Sequence, residues 1–148
     1  MTNSELAALF VELADTMEIA SENHFKIRSY RKAAVNISEL NRSVEGMTSG
    51  EIRDIPGIGK AIFEKISEAL QTGTFPTLEK WRASGYTSFL PLLEMPGVTT
   101  RKLGVAISKL KTESMVDMKD LVDRGQADIL SDIDGNVRRA ILKHILRG

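Results

Sequence analysis

One pattern occurs twice in this chain and restricts its fold more than any other feature. Ile52 with Ile55-Pro56-Gly57-Ile58-Gly59 forms the first copy, and Leu92 with Met95-Pro96-Gly97-Val98-Thr99 the second. Both read apolar, two residues, apolar, one residue, Gly, apolar. Both run on into a segment whose apolar residues recur at helical spacing. A short helix, a tight Pro-Gly turn and a second helix are therefore expected as a repeated unit. Leu130 to Ile145 reads as a degenerate third copy in which the glycine, Gly135, is displaced.

The other segments ask for the same class of structure. Leu6, Leu9, Phe10, Leu13 and Met17 recur at helical intervals behind a cap at Asn3 or Ser4. After a break at Asn23, Ile27, Tyr30, Ala33, Ala34, Ile37 and Leu40 form a second stripe. No segment alternates with period two, so the expected fold is all-α, helical bundles carrying tandem hairpins. At 148 residues the chain can hold one domain or two small ones. The absence of cysteine excludes disulfides and cysteine-ligated metal sites, and His24 and His144 are too few for a histidine-rich one. The polar start is unlike a signal peptide, and no apolar run approaches the roughly 20 residues that span a bilayer. The expected location is cytoplasmic, nucleoid-associated in a prokaryote, with no membrane partner.

The net charge is zero, but the charges are segregated. Glu5, Glu12, Asp15, Glu18 and Glu22 make the first helix acidic. Basic clusters follow at Lys26, Arg28, Arg31 and Lys32, after Gly97, and at the end of the chain. Distribution, not the sum, decides whether a neutral molecule presents a basic face.

The repeated turn suits a phosphate. Gly57 and Gly59 can take positive φ and leave room for another backbone. Ile58 turns inward and pins the hairpin. Free N–H groups at the start of the following helix, with its dipole, favour an anion, and Lys60 adds a cation. Such contacts carry no base information, so the expected partner, DNA, is held without regard to sequence and with strong salt dependence. In the second copy Thr99 replaces the last glycine. A β-branched residue tolerates positive φ poorly, so Gly97-Val98-Thr99, with Arg101 and Lys102 behind it, is expected to grip more weakly or to serve only for packing.

Taken with His24-Phe25-Lys26-Ile27-Arg28-Ser29-Tyr30-Arg31-Lys32-Ala33-Ala34 and the Thr72-Gly73 stop, these residues resemble the N-terminal part of the X family of DNA polymerases, the polymerase-beta-like enzymes. The resemblance covers essentially the whole chain. It implies that residues 1–84 form a lyase domain binding the 5′-phosphate side of gapped or nicked DNA. Residues 85–148 would grip duplex DNA through the second hairpin. The family's polymerase palm is not in this sequence, so the chain is a stand-alone relative or a fragment of a longer polymerase.

By the same resemblance, Lys65 is the nucleophile that forms a Schiff base with the sugar aldehyde of an abasic 5′ end, with Glu64 before it and Tyr30 beside it. Lys26 falls on a 5′-phosphate lysine and Phe25, next to His24, on a base-stacking residue. Burial, and the cations Lys26 and Arg31 if the fold brings them together, are expected to depress the pKa of Lys65. Two family phosphate lysines are replaced by Ala61 and Thr77. The backbone carbonyls of Arg53, Ile55 and Ile58, and of Leu93, Met95 and Val98, would hold K⁺ or Na⁺; no other cofactor is implied. A monomer is expected, with other repair proteins as further partners. Asp132-Ile133-Asp134 is read as a loop or cap, not a metal pair. A competing reading is a protein-interaction domain whose Leu6, Leu9 and Leu13 stripe faces a partner.

Overall fold

The computed structural model describes residues 1–125 and 127–147, and among these there is no strand. Eight α-helices follow in order: α1 Asn3–Ile19, α2 His24–Ser38, α3 Ser49–Arg53, α4 Lys60–Thr72, α5 Pro76–Arg82, α6 Thr100–Leu110, α7 Met115–Asp123 and α8 Gly135–Arg147. Short 3₁₀ segments occupy Val44–Gly46, Gly85–Glu94 and Ala127–Asp132. The fold is all-α, as the sequence requires. No helix among the described residues is long and apolar enough to cross a membrane.

The chain divides into two compact units, Met1–Ala14 with Asn23–Lys80, and Asp15–Glu22 with Trp81–Gly148. Helix α1 thus contributes to both. In the first unit, Leu6, Phe10 and Leu13 of α1 are fully buried, as are Ala33 and Ile37 of α2 and Ile66 of α4. Phe10 stacks on Phe75 with ring centroids 5.3 Å apart and lies 6.2 Å from Tyr30. Burying side chains of this size yields about 1.5–3 kcal/mol each, so the leucine stripe is spent on packing. The partner-facing reading of Leu6 and Leu13 is thereby overturned.

Local signals set the helix ends. Asn23 Oδ1 accepts from the N–H groups of Phe25 and Lys26 and starts α2. Thr48 and Glu51 form a reciprocal capping box on α3, short enough at five residues to need it. Gly73 ends α4 in the left-handed region, its N–H donating to the Ala69 carbonyl at 2.8 Å.

The second unit packs Phe89, Leu92, Leu103, Met118, Val137 and Ile141 around Ile19. One close approach of backbone to backbone is at Gly104, where an added Cβ would lie 2.5 Å from the Glu18 carbonyl oxygen. The Thr100 hydroxyl donates to the Glu18 carboxylate alongside it.

Candidate nucleic-acid interface

The two hairpins share one backbone. In the first, the Ile55 N–H donates to Ile52 and the Ile58 N–H to Ile55, at 3.2 and 3.1 Å. In the second, Met95 donates to Leu92 and Val98 to Met95, at 3.1 and 3.2 Å. Gly57 has φ 83° and Gly97 φ 78°, the left-handed region that glycine enters freely. Ile58 and Val98 are buried, while the glycines, Lys60, Thr99, Arg101 and Lys102 are exposed.

The second glycine position differs from expectation. Gly59 has φ −86° and ψ −177°, and Thr99 φ −117° and ψ 160°. Both are extended, as a helix N-cap should be, so neither Gly59 nor Thr99 needs positive φ and threonine is not strained there. The difference lies in the amides. No side chain caps α4, whereas the Thr99 hydroxyl accepts from the Lys102 N–H at 3.1 Å. A Cβ on Gly59 would meet nothing within 4 Å. The first hairpin therefore leaves its helix N-terminus open to an anion.

The third copy lacks the hairpin geometry. Gly135 is not left-handed. Asp134 stands at the cap and accepts from Asn136 and Val137 N–H at 2.9 and 3.1 Å, as the cap reading of this segment expects. These bonds hold its carboxyl below the ordinary aspartate range, with Lys102 assisting from 3.7 Å. A carboxylate already fills the place an anion would take. From Gly59 to Thr99 to Asp134, the three caps leave progressively less for a phosphate.

An asparagine lies against the left-handed glycine of each hairpin, and the first also hydrogen-bonds the turn, which the sequence reading missed. Asn36 Nδ2 donates to the Pro56 carbonyl at 2.5 Å and lies 3.1 Å from where a Gly57 Cβ would be. Asn136 Nδ2 lies 2.3 Å from the corresponding point on Gly97.

The expected nucleophile lies in the same unit as the first hairpin. Lys65 is half-buried, its Nζ 5.7 Å from the centroid of the Tyr30 ring. Burial pushes its ammonium below the ordinary lysine range; Glu64 opposes this and Lys26 adds to it. Tyr30 is buried, which raises its hydroxyl pKa and keeps it protonated. Arg31 does not join the group. It lines a groove with Ala7, Val11 and Val35. Lys26 and Tyr30 are four residues apart and share a face of α2, whereas Arg31 lies about 100° further round. At the start of α2, Phe25 is 77% exposed, beside exposed His24 and Lys26. Glu64 is exposed, and Arg53 stacks over the Phe63 ring at 4.5 Å.

A sequence model of the helix-hairpin-helix domain family matches residues 1–75. The chain is also 25% identical over 143 residues to the DNA polymerase/3′-5′ exonuclease PolX of Bacillus subtilis (strain 168). That match takes in 97% of this chain and 25% of the relative, so the chain spans a quarter of its length. The similarity to X-family polymerases read from the sequence thus extends over nearly every residue.

Proposed function

The chain belongs to the helix-hairpin-helix domain family, and from that premise we propose that it is a sequence-independent DNA-binding module of repair or replication type. It holds the phosphate backbone of gapped, nicked or 5′-phosphorylated DNA. The observation that carries this is the first hairpin: a left-handed Gly57, an exposed Gly59 and a helix N-terminus that no side chain caps. Lys60 and Lys26 supply charge, and exposed Phe25 offers a ring to an unstacked base. The carbonyls of Ile55 and Met95 each accept one turn N–H and keep a second lone pair, which fits K⁺ or Na⁺ between hairpin and phosphate. Such an ion would add positive charge there.

A lyase activity at the same pocket is favoured by the half-buried, pKa-depressed Lys65 beside Tyr30. The neutral amine adds to C1′ of the open-chain sugar and water leaves, giving the imine. Loss of a C2′ proton to water forms the C2′–C3′ double bond and expels the 3′ phosphate oxygen, and hydrolysis of the imine then frees Lys65. The names polymerase and exonuclease belong to the relative, a quarter of whose length this chain spans. Among the described residues, no three acidic or histidine side chains are grouped to hold a metal ion.

Binding to gapped DNA should fall steeply with salt and exceed binding to uninterrupted duplex. Equal affinities would remove end recognition. Borohydride should trap the chain on an incised abasic substrate, and Lys65→Ala should abolish the adduct. An adduct that survives this change would remove the lyase assignment.

A further inference from the structure

Helix α6 has an exposed side that the turn before it does not account for. Arg101, Val105 and Lys109 follow one another at four-residue intervals there, on neighbouring turns of the helix. Val105 is 53% exposed, and the matching place on α4, forty residues earlier, holds Lys65. Valine forms helix less readily than lysine, so helix stability does not call for it. The places matching Arg101 and Lys109 hold Ala61 and Ala69. The order cation, valine, cation therefore distinguishes α6 from α4 and is no part of the shared hairpin.

Val105 opens onto a groove of about 340 Å³ between α6 and the residues before α8. Ala106 and Ile133, both buried, complete its apolar floor. Asp134 is in the wall, but its carboxylate is already taken up. Its Oδ1 accepts from the Asn136 and Val137 N–H groups, and its Oδ2 pairs with Lys102 at 3.7 Å. Arg101 and Lys109 have no ion-pair partner among the described residues. The groove is thus a carbon floor between two unanswered positive charges, whose eight-residue separation puts them about 12 Å apart along the helix.

Arg101 is a residue that the sequence offers to DNA. A phosphate set over Val105 and Ala106, however, would exchange water for carbon and gain no hydrogen bond from them. An apolar side chain gains from the same exchange, and carboxylates to either side of it answer Arg101 and Lys109. In an extended chain alternate side chains share a face, so two carboxylates four residues apart stand about 13 Å apart, close to the spacing of the two cations. We propose that this groove docks an extended acidic segment of a partner protein. Its apolar side chain rests on Val105, Ala106 and Ile133, and a carboxylate on each side pairs with Arg101 and with Lys109. The docking surface is independent of the phosphate contact at the first hairpin.

The test is an amide-resolved NMR titration of the full chain, at low salt, with an end-blocked heptapeptide of sequence serine-glutamate-serine-leucine-serine-glutamate-serine. Saturable shifts are expected at Val105, Ala106, Lys109 and Ile133. Replacing the leucine of the peptide by serine, or Val105→Glu in the protein, should weaken binding about tenfold, the loss of one buried aliphatic side chain. Lys109→Gln should weaken it about threefold, the worth of one exposed ion pair. Val105 and Lys109 are exposed, so both variants should keep the rest of the spectrum unchanged. Shifts that fail to saturate, or that the leucine-free peptide reproduces in full, would overturn the proposal. So would shifts at these amides that follow protein concentration without peptide, which would give the groove to a second copy of the chain. Shifts there that a duplex oligonucleotide produces and the peptide does not would give it to DNA, and would overturn the proposal equally.

Discussion

The two hairpins have nearly the same backbone and different side chains, and the difference shows which parts of the motif belong to folding and which to binding. The left-handed glycine, the buried apolar residue after it and the asparagine against that glycine are common to both. They form the turn. The cap is not common: Gly59 leaves the α4 amides without a side-chain partner, and Thr99 takes the Lys102 N–H. The following helices diverge further. Forty residues beyond Glu64 and Lys65 stand Gly104 and Val105. Gly104 is packed against the end of α1, and Val105 is an exposed apolar residue where the first hairpin has its amine. The first hairpin is thus open and chemically equipped, whereas the helix after the second is committed to packing at Gly104.

The largest effect should come from breaking that packing. Gly104→Ala drives a Cβ into the Glu18 carbonyl oxygen, a backbone atom that cannot swing aside, and should cost about 3 kcal/mol in a denaturant titration. Glu64→Ala, at the matching place on the exposed side of α4, should change stability by no more than about 0.5 kcal/mol. Similar losses at both sites would mean that the two helices are equally constrained.

Exchanging the caps tests the grip directly. Gly59→Thr should lower affinity for gapped DNA about fivefold by occupying one amide, while Thr99→Gly should raise it about twofold. Stability should move by only about 0.5 kcal/mol in either direction, because threonine and glycine are similar N-caps. Gly59→Ala separates the causes, since it adds bulk in open space and no acceptor. If alanine weakens binding as much as threonine, room for the DNA backbone matters and the amides do not.

How much of this the sequence disclosed depends on the length scale of each signal. The turns, helices and most of the core were legible because Pro-Gly-apolar and the helical period are local signals. Leu6, Phe10 and Leu13 could be read as buried from spacing alone. The conformation of Gly59 and Thr99 was misjudged because a glycine shows what is permitted, not what is adopted. The Asp134 cap was legible, as aspartate before a helix declares itself. Gly104 and the two asparagines were not, because each meets a residue far away in the sequence. Lys26 and Arg31 looked equivalent in a list of charges. Only the helical angle between them sends one toward Lys65 and the other to a different face.

That angle carries the smallest prediction, which is one of pH. Burial and Lys26 both disfavour the charged Lys65, so its folded pKa lies below the unfolded value. Between the two values the unfolded chain binds more protons. The contribution to stability therefore rises with pH through that window and is complete above the unfolded value. Imine formation needs the neutral amine, so trapping should climb with pH to a midpoint below the ordinary lysine range. Lys26→Gln removes one of the two causes and should move that midpoint upward without abolishing the adduct. Arg31→Gln should leave it in place, because Arg31 faces the α1 side of its helix. Val105→Lys completes the comparison by placing an amine on the second hairpin's helix, where it is exposed and should yield no adduct in a Lys65→Ala background. An adduct there would show that any lysine beside a DNA-bound hairpin suffices, and that burial beside Tyr30 is not what makes Lys65 reactive.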